Sequence, residues 1–256
     1  MRVGLVLLIA VIATTIASKK LASHHANAEQ RILLVVTSHE DLGTSGKKTG
    51  YYLPEAAHPH HVFTNAGLKV DYASPKGGKS PLDPYSVQDY KDDKISVDFL
   101  NNASVQKQLS NTIKISDVNP NKYSAIFFVG GHGPMYDLPT DVAVQQLTRA
   151  FYESNKIVAA VCHGPAGLLN VRLSNGKNLI DGKRVAGYTN GEEEEGGTTS
   201  QMPFSLEDTL KRNGGLYTKV ANWQPHVVRD GNLFTGQNPA SATGLAKIIV
   251  SALKKH

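Results

Sequence analysis

The stretch Ile157-Val-Ala-Ala-Val-Cys162-His-Gly-Pro165 carries the strongest structural signal in the chain. Its five leading apolar residues, without a polar break, predict a buried strand at the centre of a sheet. Pro165 fits the first turn of a helix, so a tight strand-to-helix turn is expected at Cys162. A cysteine on such a turn lies at the positive end of the helix dipole and beside His163, and both features favour thiolate over thiol. The turn is where a nucleophile is expected.

Outward from this strand, the chain alternates strand and helix patterns. Strands are predicted at 31–38, 68–74, 124–130 and 184–189, helices at 53–66, 140–154, 203–213 and 240–253, and a hairpin at 227–235 that turns at Asp230-Gly231. This order predicts an α/β fold whose mostly parallel sheet carries helices on both faces. Ligands bind at the carboxyl ends of such strands, so Ser38, the loop Gly130–Gly133 and Cys162 are expected to converge there.

Residues 76–123 interrupt the alternation. The stretch is polar, and it contains one modest helix pattern near 99–109. We interpret it as an insertion over one end of the sheet within a single domain, which spans residues 29–256.

The N-terminus has the pattern of a signal peptide. Arg2 precedes about fifteen apolar residues, fewer than the roughly 20 needed to span a membrane, and Ala26-Asn27-Ala28 offers a small-x-small cleavage site. The expectation is a signal peptide at residues 1–28 of a secreted or periplasmic protein; a cut after Ala17 and an uncleaved membrane anchor are the alternatives. Removing these residues lowers the formal charge from +5 to +2, which gives no reason to expect a nucleic-acid partner.

Cys162 is the only cysteine, so no internal disulfide can form. A lone thiol in an exported protein is buried, paired with another molecule, or reactive. A small buried hydrophobe is the ordinary interpretation of a single cysteine. Its position on the turn favours a reactive thiol instead.

Several residues elsewhere suit chemistry at such a thiol. The backbone N–H groups of Gly131 and His163 would form an oxyanion hole. Glu55 begins the helix after the first loop, from which its side chain would reach the strand ends. One glutamate of the run Glu192–Glu195 would hold His163 in its reactive tautomer, while the other three are expected at the solvated surface.

A metal site is not predicted. The tract His58-Pro-His60-His61 lies inside a helix pattern and has no accompanying carboxylate or cysteine at ligand spacing. It is interpreted as a helix-lining or exposed cluster.

In this order the motifs resemble the PfpI-type branch of the glutamine-amidotransferase-like superfamily, and most of all its stress-chaperone and glutathione-independent glyoxalase (glyoxalase III) group. The resemblance runs from Arg31 to the C-terminus. It is carried by Gly46-Lys-Lys-Thr-Gly-Tyr51, Pro54-Glu-Ala-Ala-His-Pro59, Gly130-Gly-His-Gly133, Ala159-Ala-Val-Cys-His-Gly-Pro165, Gly187-Tyr-Thr-Asn190, Pro203-Phe-Ser-Leu-Glu-Asp208 and Thr235-Gly-Gln-Asn-Pro-Ala-Ser241.

The resemblance implies a flavodoxin-like sandwich, usually a homodimer, without a cofactor. It assigns Cys162 as the nucleophile and His163 as its proton-transfer partner. Glu55 would hydrogen-bond the sulfur, and the acid of the triad falls on Glu193, with Glu192 as the neighbouring alternative. The extra glutamates and the export signal are departures from the family pattern.

The function implied is a lyase that converts methylglyoxal, or a similar small 2-oxoaldehyde, to a 2-hydroxy acid without glutathione. A cysteine peptidase or amidase is the second enzyme interpretation, because the same nucleophile and oxyanion hole suit it. A holdase chaperone with unfolded-protein clients and a thiol oxidation sensor are the alternatives from other classes.

Overall fold

The computed structural model describes residues 30–254. Its strands are β1 Arg31–Val35, β2 Lys69–Ser74, β3 Ile113–Lys114, β4 Ala125–Phe128, β5 Ile157–Val161, β6 Arg184–Val185, β7 Leu216–Tyr217, β8 Val227–Asp230 and β9 Leu233–Gly236. Seven of them form one sheet in the order β3-β2-β1-β4-β5-β9-β8, and β6 pairs with β7 in a separate two-stranded sheet. All pairs in the large sheet are parallel except β8–β9, so the predicted α/β class is confirmed.

The strands at the centre of this sheet are buried on both faces. Every residue of β4 and β5 is buried, as the unbroken apolar runs predict for a covered parallel sheet. In register, Ala125 lies beside Ile157 and Phe128 beside Ala160. The carboxyl ends of β4 and β5 therefore bring the loop after Val129 next to Cys162.

The helices flank the sheet. They are α1 Leu53–Asn65, α2 Pro84–Asp89, α3 Lys94–Asn101, α4 Ala103–Leu109, α5 Pro134–Asp137, α6 Val142–Glu153, α7 Asn190–Glu195, α8 Leu206–Arg212 and α9 Ala242–Leu253. α1 and α9 pack against each other, and α6 packs on β4 and β5. The expected hairpin is present as β8 and β9, and most element bounds fall within a few residues of the prediction.

Two expectations about local structure were wrong. Residues 76–123 contain three helices (α2, α3 and α4) and the edge strand β3, where one modest helix was expected. These helices are short, and their starts are fixed by the side chains of Asp83, Asp93 and Asn102, each of which accepts hydrogen bonds from N–H groups of the first turn. After Cys162 the chain forms a five-residue 3₁₀ segment, Gly164–Leu168, instead of an α-helix.

The predicted signal peptide at residues 1–28 lies outside the described residues. Within residues 30–254, none of the helices has both the length and the apolar character needed to cross a membrane.

Candidate active site

Cys162 sits on a strained elbow at the end of β5. Its backbone has φ +58°, in the left-handed region that a non-glycine residue enters at a cost of about 1–2 kcal/mol. Its N–H donates to the Gly236 carbonyl at 3.0 Å, and its carbonyl accepts from the Tyr188 N–H at 2.8 Å. These two bonds hold the elbow so that the thiol faces the cavity beyond the strand ends.

Glu55 projects from α1 toward this thiol and is fully buried. Neither carboxyl oxygen has a conventional hydrogen-bond partner. Burial raises the pKa of Glu55 to about 8, although contacts with the Cys162 thiol and the Gly130 N–H oppose the rise. A side chain at Gly130 would overlap both Glu55 Oε2 and Cys162 Cβ, so glycine is required there. Near neutral pH, Glu55 is therefore a carboxylic acid that contacts the sulfur.

The surroundings of the sulfur favour its thiol form. Burial raises the pKa of Cys162 well above its ordinary value, the charge of Glu55 adds to the rise, and the Gly131 N–H opposes it. The expectation that the turn favours thiolate was wrong in direction, because burial of the sulfur raises the pKa of Cys162 and no α-helix follows the elbow to oppose this. The thiolate has to form by proton transfer to a neighbour.

His163 is the neighbour that can take this proton. Its Nδ1 lies 3.4 Å from Cys162 Sγ, and its Nε2 lies 2.7 Å from Glu193 Oε2. Burial lowers the pKa of His163, which leaves a neutral imidazole whose Nε2–H donates to Glu193 and whose Nδ1 lone pair faces the sulfur. Burial alone would raise the pKa of Glu193, but the hydrogen bond from His163, the neighbouring His132 and the positive charge of either ring once it is protonated outweigh burial, so the pKa of Glu193 is lowered and the carboxylate stays ionised. The chain Cys162–His163–Glu193 is a nucleophile, base and acid in hydrogen-bond sequence.

The loop Gly130–Gly133 closes the site next to the elbow. Gly131 has φ +100°, and a Cβ there would collide with the backbone of Gly50 and Tyr52. Its N–H opposes the rise in the pKa of Cys162, because it can donate to negative charge that develops on the sulfur. His132, in the same loop, points its Nε2 at Glu193 Oε1 across 3.3 Å. From the sequence, this histidine was expected only as part of a glycine turn.

Glu192, the alternative acid, does not contact His163 in this arrangement. It is fully buried, and its Oε1 accepts hydrogen bonds from Trp223 N, Gln237 Nε2 and Asn238 Nδ2 at 2.9, 3.1 and 2.7 Å. The expectation of a solvated surface position was wrong for this residue, because the motif Gly236-Gln-Asn-Pro supplies buried donors. Its side chain also closes a capping box with Thr189 at the start of α7. Glu192 thus anchors the helix that carries Glu193.

A cavity of about 340 Å³ opens onto Cys162. Gly131, His132 and His163 line it, and its aromatic wall is formed by Tyr52, Tyr85, Tyr188 and Trp223. Tyr188 packs on the ring of His163 at 4.3 Å between centroids and meets Trp223 edge-on at 5.9 Å. Tyr85 belongs to the inserted helix α2, so residues 76–123 contribute to the site.

Ser38 does not join this site. It lines a separate cleft with Lys76 and Lys79, where its N–H donates to Asp137 Oδ2 and its hydroxyl accepts from Lys76 N. The expected convergence therefore holds for the glycine loop and Cys162, and it was wrong for Ser38.

One set of side chains among residues 30–254 is compact enough to share a metal ion. The ligand atoms of His132, His163 and Glu193 lie within 4.8 Å of one another, and two histidines with a glutamate are the ligands of some catalytic zinc sites. Ligands of tetrahedral zinc lie about 3.3 Å apart, because each bond is roughly 2.0–2.1 Å long. His163 Nε2 and Glu193 Oε2 are only 2.7 Å apart and are hydrogen-bonded to each other. This distance is shorter than the separation of two zinc ligands, so the two atoms in this arrangement bond to each other and not to a shared ion.

The histidine tract on α1 has structural partners. His58 contacts Asp93 and Thr243 at 2.8 and 2.9 Å, and His60 contacts the Tyr72 hydroxyl at 2.8 Å. His61 is exposed.

The fold and the site together define a class, an α/β protein with a buried cysteine nucleophile on a strand elbow. Residues 48–252 match the DJ-1/PfpI family, and the chain belongs to that family. It is 35% identical over 238 residues to a glutathione-independent glyoxalase of Saccharomyces cerevisiae, covering 89% of this chain and 99% of the relative. It is 33% identical over 232 residues to glyoxalase 3 of Candida albicans, covering 88% and 98% of the two chains.

Solved structures agree with these matches. The crystal structure of glyoxalase III from Candida albicans superposes with a TM-score of 0.80 at 32% identity, over 88% of this chain and 98% of that one. The rapid encystment protein of Francisella tularensis superposes with a TM-score of 0.84 at 39% identity, over 88% and 99%. The resemblance drawn from the motifs is confirmed.

Proposed function

We propose that this protein is a glutathione-independent glyoxalase that converts small 2-oxoaldehydes such as methylglyoxal to 2-hydroxy acids. The observation that carries the proposal is the position of the Cys162 sulfur between a protonated acid, Glu55, and a neutral base, His163. Moving a proton between two adjacent carbons needs such a pair around a covalently held substrate. The names of the relatives that match over most of the chain support the same activity.

The reaction begins with covalent capture of the aldehyde. His163 Nδ1 takes the Cys162 proton while the sulfur bonds to the aldehyde carbon, and the backbone N–H groups of Gly131 and His163 donate to the oxygen that becomes negative. Proton return to that oxygen gives a hemithioacetal, with the base again free.

The second stage moves hydrogen between carbons. His163 removes the proton on the former aldehyde carbon while Glu55 gives its proton to the neighbouring ketone oxygen, which produces an enediol. His163 then delivers its proton to the neighbouring carbon, and the hydroxyl on the former aldehyde carbon returns a proton to Glu55, which gives a thioester of the 2-hydroxy acid. Water then attacks the thioester carbonyl, and the S–C bond breaks to restore the thiol and release the acid with one proton.

The test is lactate formation from methylglyoxal by purified residues 29–256, comparing wild type with Cys162→Ala. Wild type should form lactate and the variant should form none while keeping its fold by circular dichroism. Lactate formation by Cys162→Ala at the wild-type rate would overturn the covalent scheme.

A peptidase or amidase is the second candidate, because Cys162, His163 and Glu193 form the nucleophile, base and acid of cysteine hydrolases. A panel of peptides and N-acyl amides assayed with the same sample separates the two activities. Hydrolysis that exceeds methylglyoxal turnover would favour the hydrolase.

Two non-enzymatic activities are also proposed from the resemblance. A holdase function for unfolded clients should survive Cys162→Ala, which separates it from glyoxalase activity. A thiol-sensor function would appear as a sulfinic acid at Cys162 by mass spectrometry after mild peroxide treatment.

We further propose that the protein is exported and forms a homodimer. Export is supported by the basic, apolar and small-residue pattern of residues 1–28, and N-terminal sequencing of the mature protein from its producing cell tests it. The dimer is supported by the family resemblance, and light scattering of the purified protein tests it.

A further inference from the structure

The cleft that contains Ser38, the Ser38 cleft, is separate from the catalytic cavity and larger than it. Its volume is about 780 Å³, and the segments that follow β1 and β2 and the end of α4 contribute to its walls. Ligands of open α/β sheets bind beyond the carboxyl ends of the strands, where this cleft lies. None of the triad residues Cys162, His163 and Glu193 lines it. The cleft can therefore hold a ligand that the triad does not touch.

The positive charge of the cleft lies at two lysines. Three lysines and two acids line it, for a formal net charge of +1. Both acids, Glu40 and Asp41, are paired with Lys48, at 3.0 and 2.8 Å. Lys76 and Lys79 are exposed, and neither forms an ion pair with the part of the chain that the structure describes. These two ammonium groups are available to an anion.

The loop between these two lysines is a fixed turn. Gly77 and Gly78 have φ +68° and +74°, in the left-handed region that glycine enters without strain. The Gly77 N–H donates to the Ser74 carbonyl at 3.1 Å, and the Gly78 N–H donates to the Thr112 carbonyl at 3.0 Å. The backbone that carries both lysines is therefore held against β2 and the segment before β3.

Two hydroxyl groups in the wall of the cleft are donors without an acceptor. Tyr51 lines the cleft although it is only 2% exposed, and its hydroxyl makes no hydrogen bond within residues 30–254. Burial alone raises the pKa of Tyr51, as expected for a phenol that has no charged or hydrogen-bonded partner. The Ser38 hydroxyl accepts from the Lys76 N–H at 3.0 Å, and its own proton is free to be donated. A buried hydroxyl without a partner is unfavourable, so a ligand that accepts from it is stabilised.

We propose that the Ser38 cleft binds a small molecule that carries a phosphate or diphosphate group. Lys76 and Lys79 supply the positive charge, and the hydroxyls of Tyr51 and Ser38 donate to the oxygens of the anion. A phosphate group has close to two negative charges at neutral pH and three strong acceptor oxygens, whereas a carboxylate has one charge and two oxygens. Phosphate therefore matches two ammonium groups and two O–H donors better. This binding is independent of the glyoxalase activity, because no substrate and no triad residue takes part in it.

Calorimetric titration of the full chain with inorganic pyrophosphate at fixed ionic strength tests the site. The double variant Lys76→Gln, Lys79→Gln should bind pyrophosphate about tenfold more weakly than wild type, or weaker still. The matched control is Lys122→Gln, Lys247→Gln, which removes two exposed lysines outside the cleft and should stay within about twofold of wild type. Absence of binding in wild type, or equal weakening in the two double variants, would overturn the proposal.

Tyr51→Phe separates a built site from general attraction to surface lysines. The variant removes one oxygen atom and no charge, so pyrophosphate should bind several-fold more weakly while circular dichroism shows the wild-type fold. Wild-type affinity in Tyr51→Phe would mean that surface charge alone holds the anion, and the proposed site would be wrong. If Tyr51→Phe does not fold, the comparison of the two lysine variants still decides.

Citrate tests the chemical class of the ligand. It carries a charge similar to that of pyrophosphate on carboxylates, so it should bind to wild type more weakly at the same ionic strength. Citrate that binds as tightly as pyrophosphate would overturn the assignment to a phosphate group.

Discussion

The carboxyl group of Glu55 and the thiol of Cys162 are buried against each other, and the site accommodates one negative charge between them. Burial raises the pKa of both groups, and the carboxylate of Glu55 raises that of Cys162 further. Ionising one group therefore opposes ionisation of the other. Because Glu55 is protonated near neutral pH, burial is the main cause that favours the thiol of Cys162 there, and the Glu55 carboxylate opposes the thiolate once the pH rises past about 8.

Glu55→Gln should lower the pH at which Cys162 ionises. The substitution removes the carboxylate charge that disfavours the thiolate and leaves the burial of the sulfur in place. The midpoint can be read from the pH dependence of alkylation by iodoacetamide, followed by mass spectrometry of the single cysteine. A midpoint that rises in the variant would show that Glu55 stabilises the thiolate mainly as a hydrogen-bond donor.

The same substitution should change how stability depends on pH. The pKa of Glu55 is raised from 4.5 to about 8 by burial, so the folded state retains a proton that the unfolded chain has lost. Its contribution to stability is fully present below pH 4.5 and is lost as the pH rises toward 8, by at most about 5 kcal/mol. Urea unfolding between pH 5 and 8 should therefore show a steeper loss of stability in wild type than in Glu55→Gln. Parallel pH dependences would place the folded pKa of Glu55 near its ordinary value.

Substitution of the two neighbouring glutamates of α7 should affect different properties, stability for Glu192 and catalysis for Glu193. Glu192→Gln replaces a buried carboxylate, which accepts hydrogen bonds from Trp223, Gln237 and Asn238, with a neutral amide. The substitution should therefore lower the free energy of unfolding by about 2–4 kcal/mol. Glu193→Gln leaves that network intact and removes the charge behind His163, so kcat should fall roughly 10²–10⁴-fold.

Unfolding curves and kcat values corrected for the folded fraction provide the comparison. The assignment of Glu193 as the acid would be wrong if Glu192→Gln lost more activity per folded molecule than Glu193→Gln.

The sequence was sufficient for the parts of this molecule that depend on local pattern. Unbroken apolar runs predicted β1, β4 and β5, and the elbow motif located Cys162 and His163. The ionisation and burial of the site residues depend instead on long-range contacts. The ionisation of Cys162 depends on Glu55 from α1, and the burial of Glu192 depends on donors that follow β9. The pattern Thr189-Asn-Gly-Glu192 is a capping box and was a signal available for Glu192.

Other features had weaker signals. The helices between Pro84 and Leu109 are six to eight residues long, too short for apolar periodicity to stand out. Ser38 follows a strand end as expected, but Asp137 binds its backbone and holds it in the neighbouring cleft. The position of His132 beside Glu193 depends on which way a glycine-rich loop turns, and residue types alone do not determine that direction.

Trp223 should set the preference of the site for larger substrates. Trp223 is 45% exposed and lines the cavity, its backbone has φ +63°, and its backbone and indole N–H groups donate to Glu192 and Glu195. Two carboxylates therefore stabilise an exposed aromatic ring in a strained conformation beside Tyr188, and the cavity is in the size range of much larger ligands than methylglyoxal.

Trp223→Ala should lower kcat/KM for phenylglyoxal about tenfold, which corresponds to roughly 1.4 kcal/mol, a value expected for a lost aromatic contact. Methylglyoxal, which has only a methyl group to place against the wall, should be affected much less. Trp223→Phe should keep most of the preference, and Leu216→Ala, an exposed residue on β7 that does not line the cavity, should change neither substrate. Equal losses for both aldehydes in Trp223→Ala would mean that the ring supports the site without selecting its substrate.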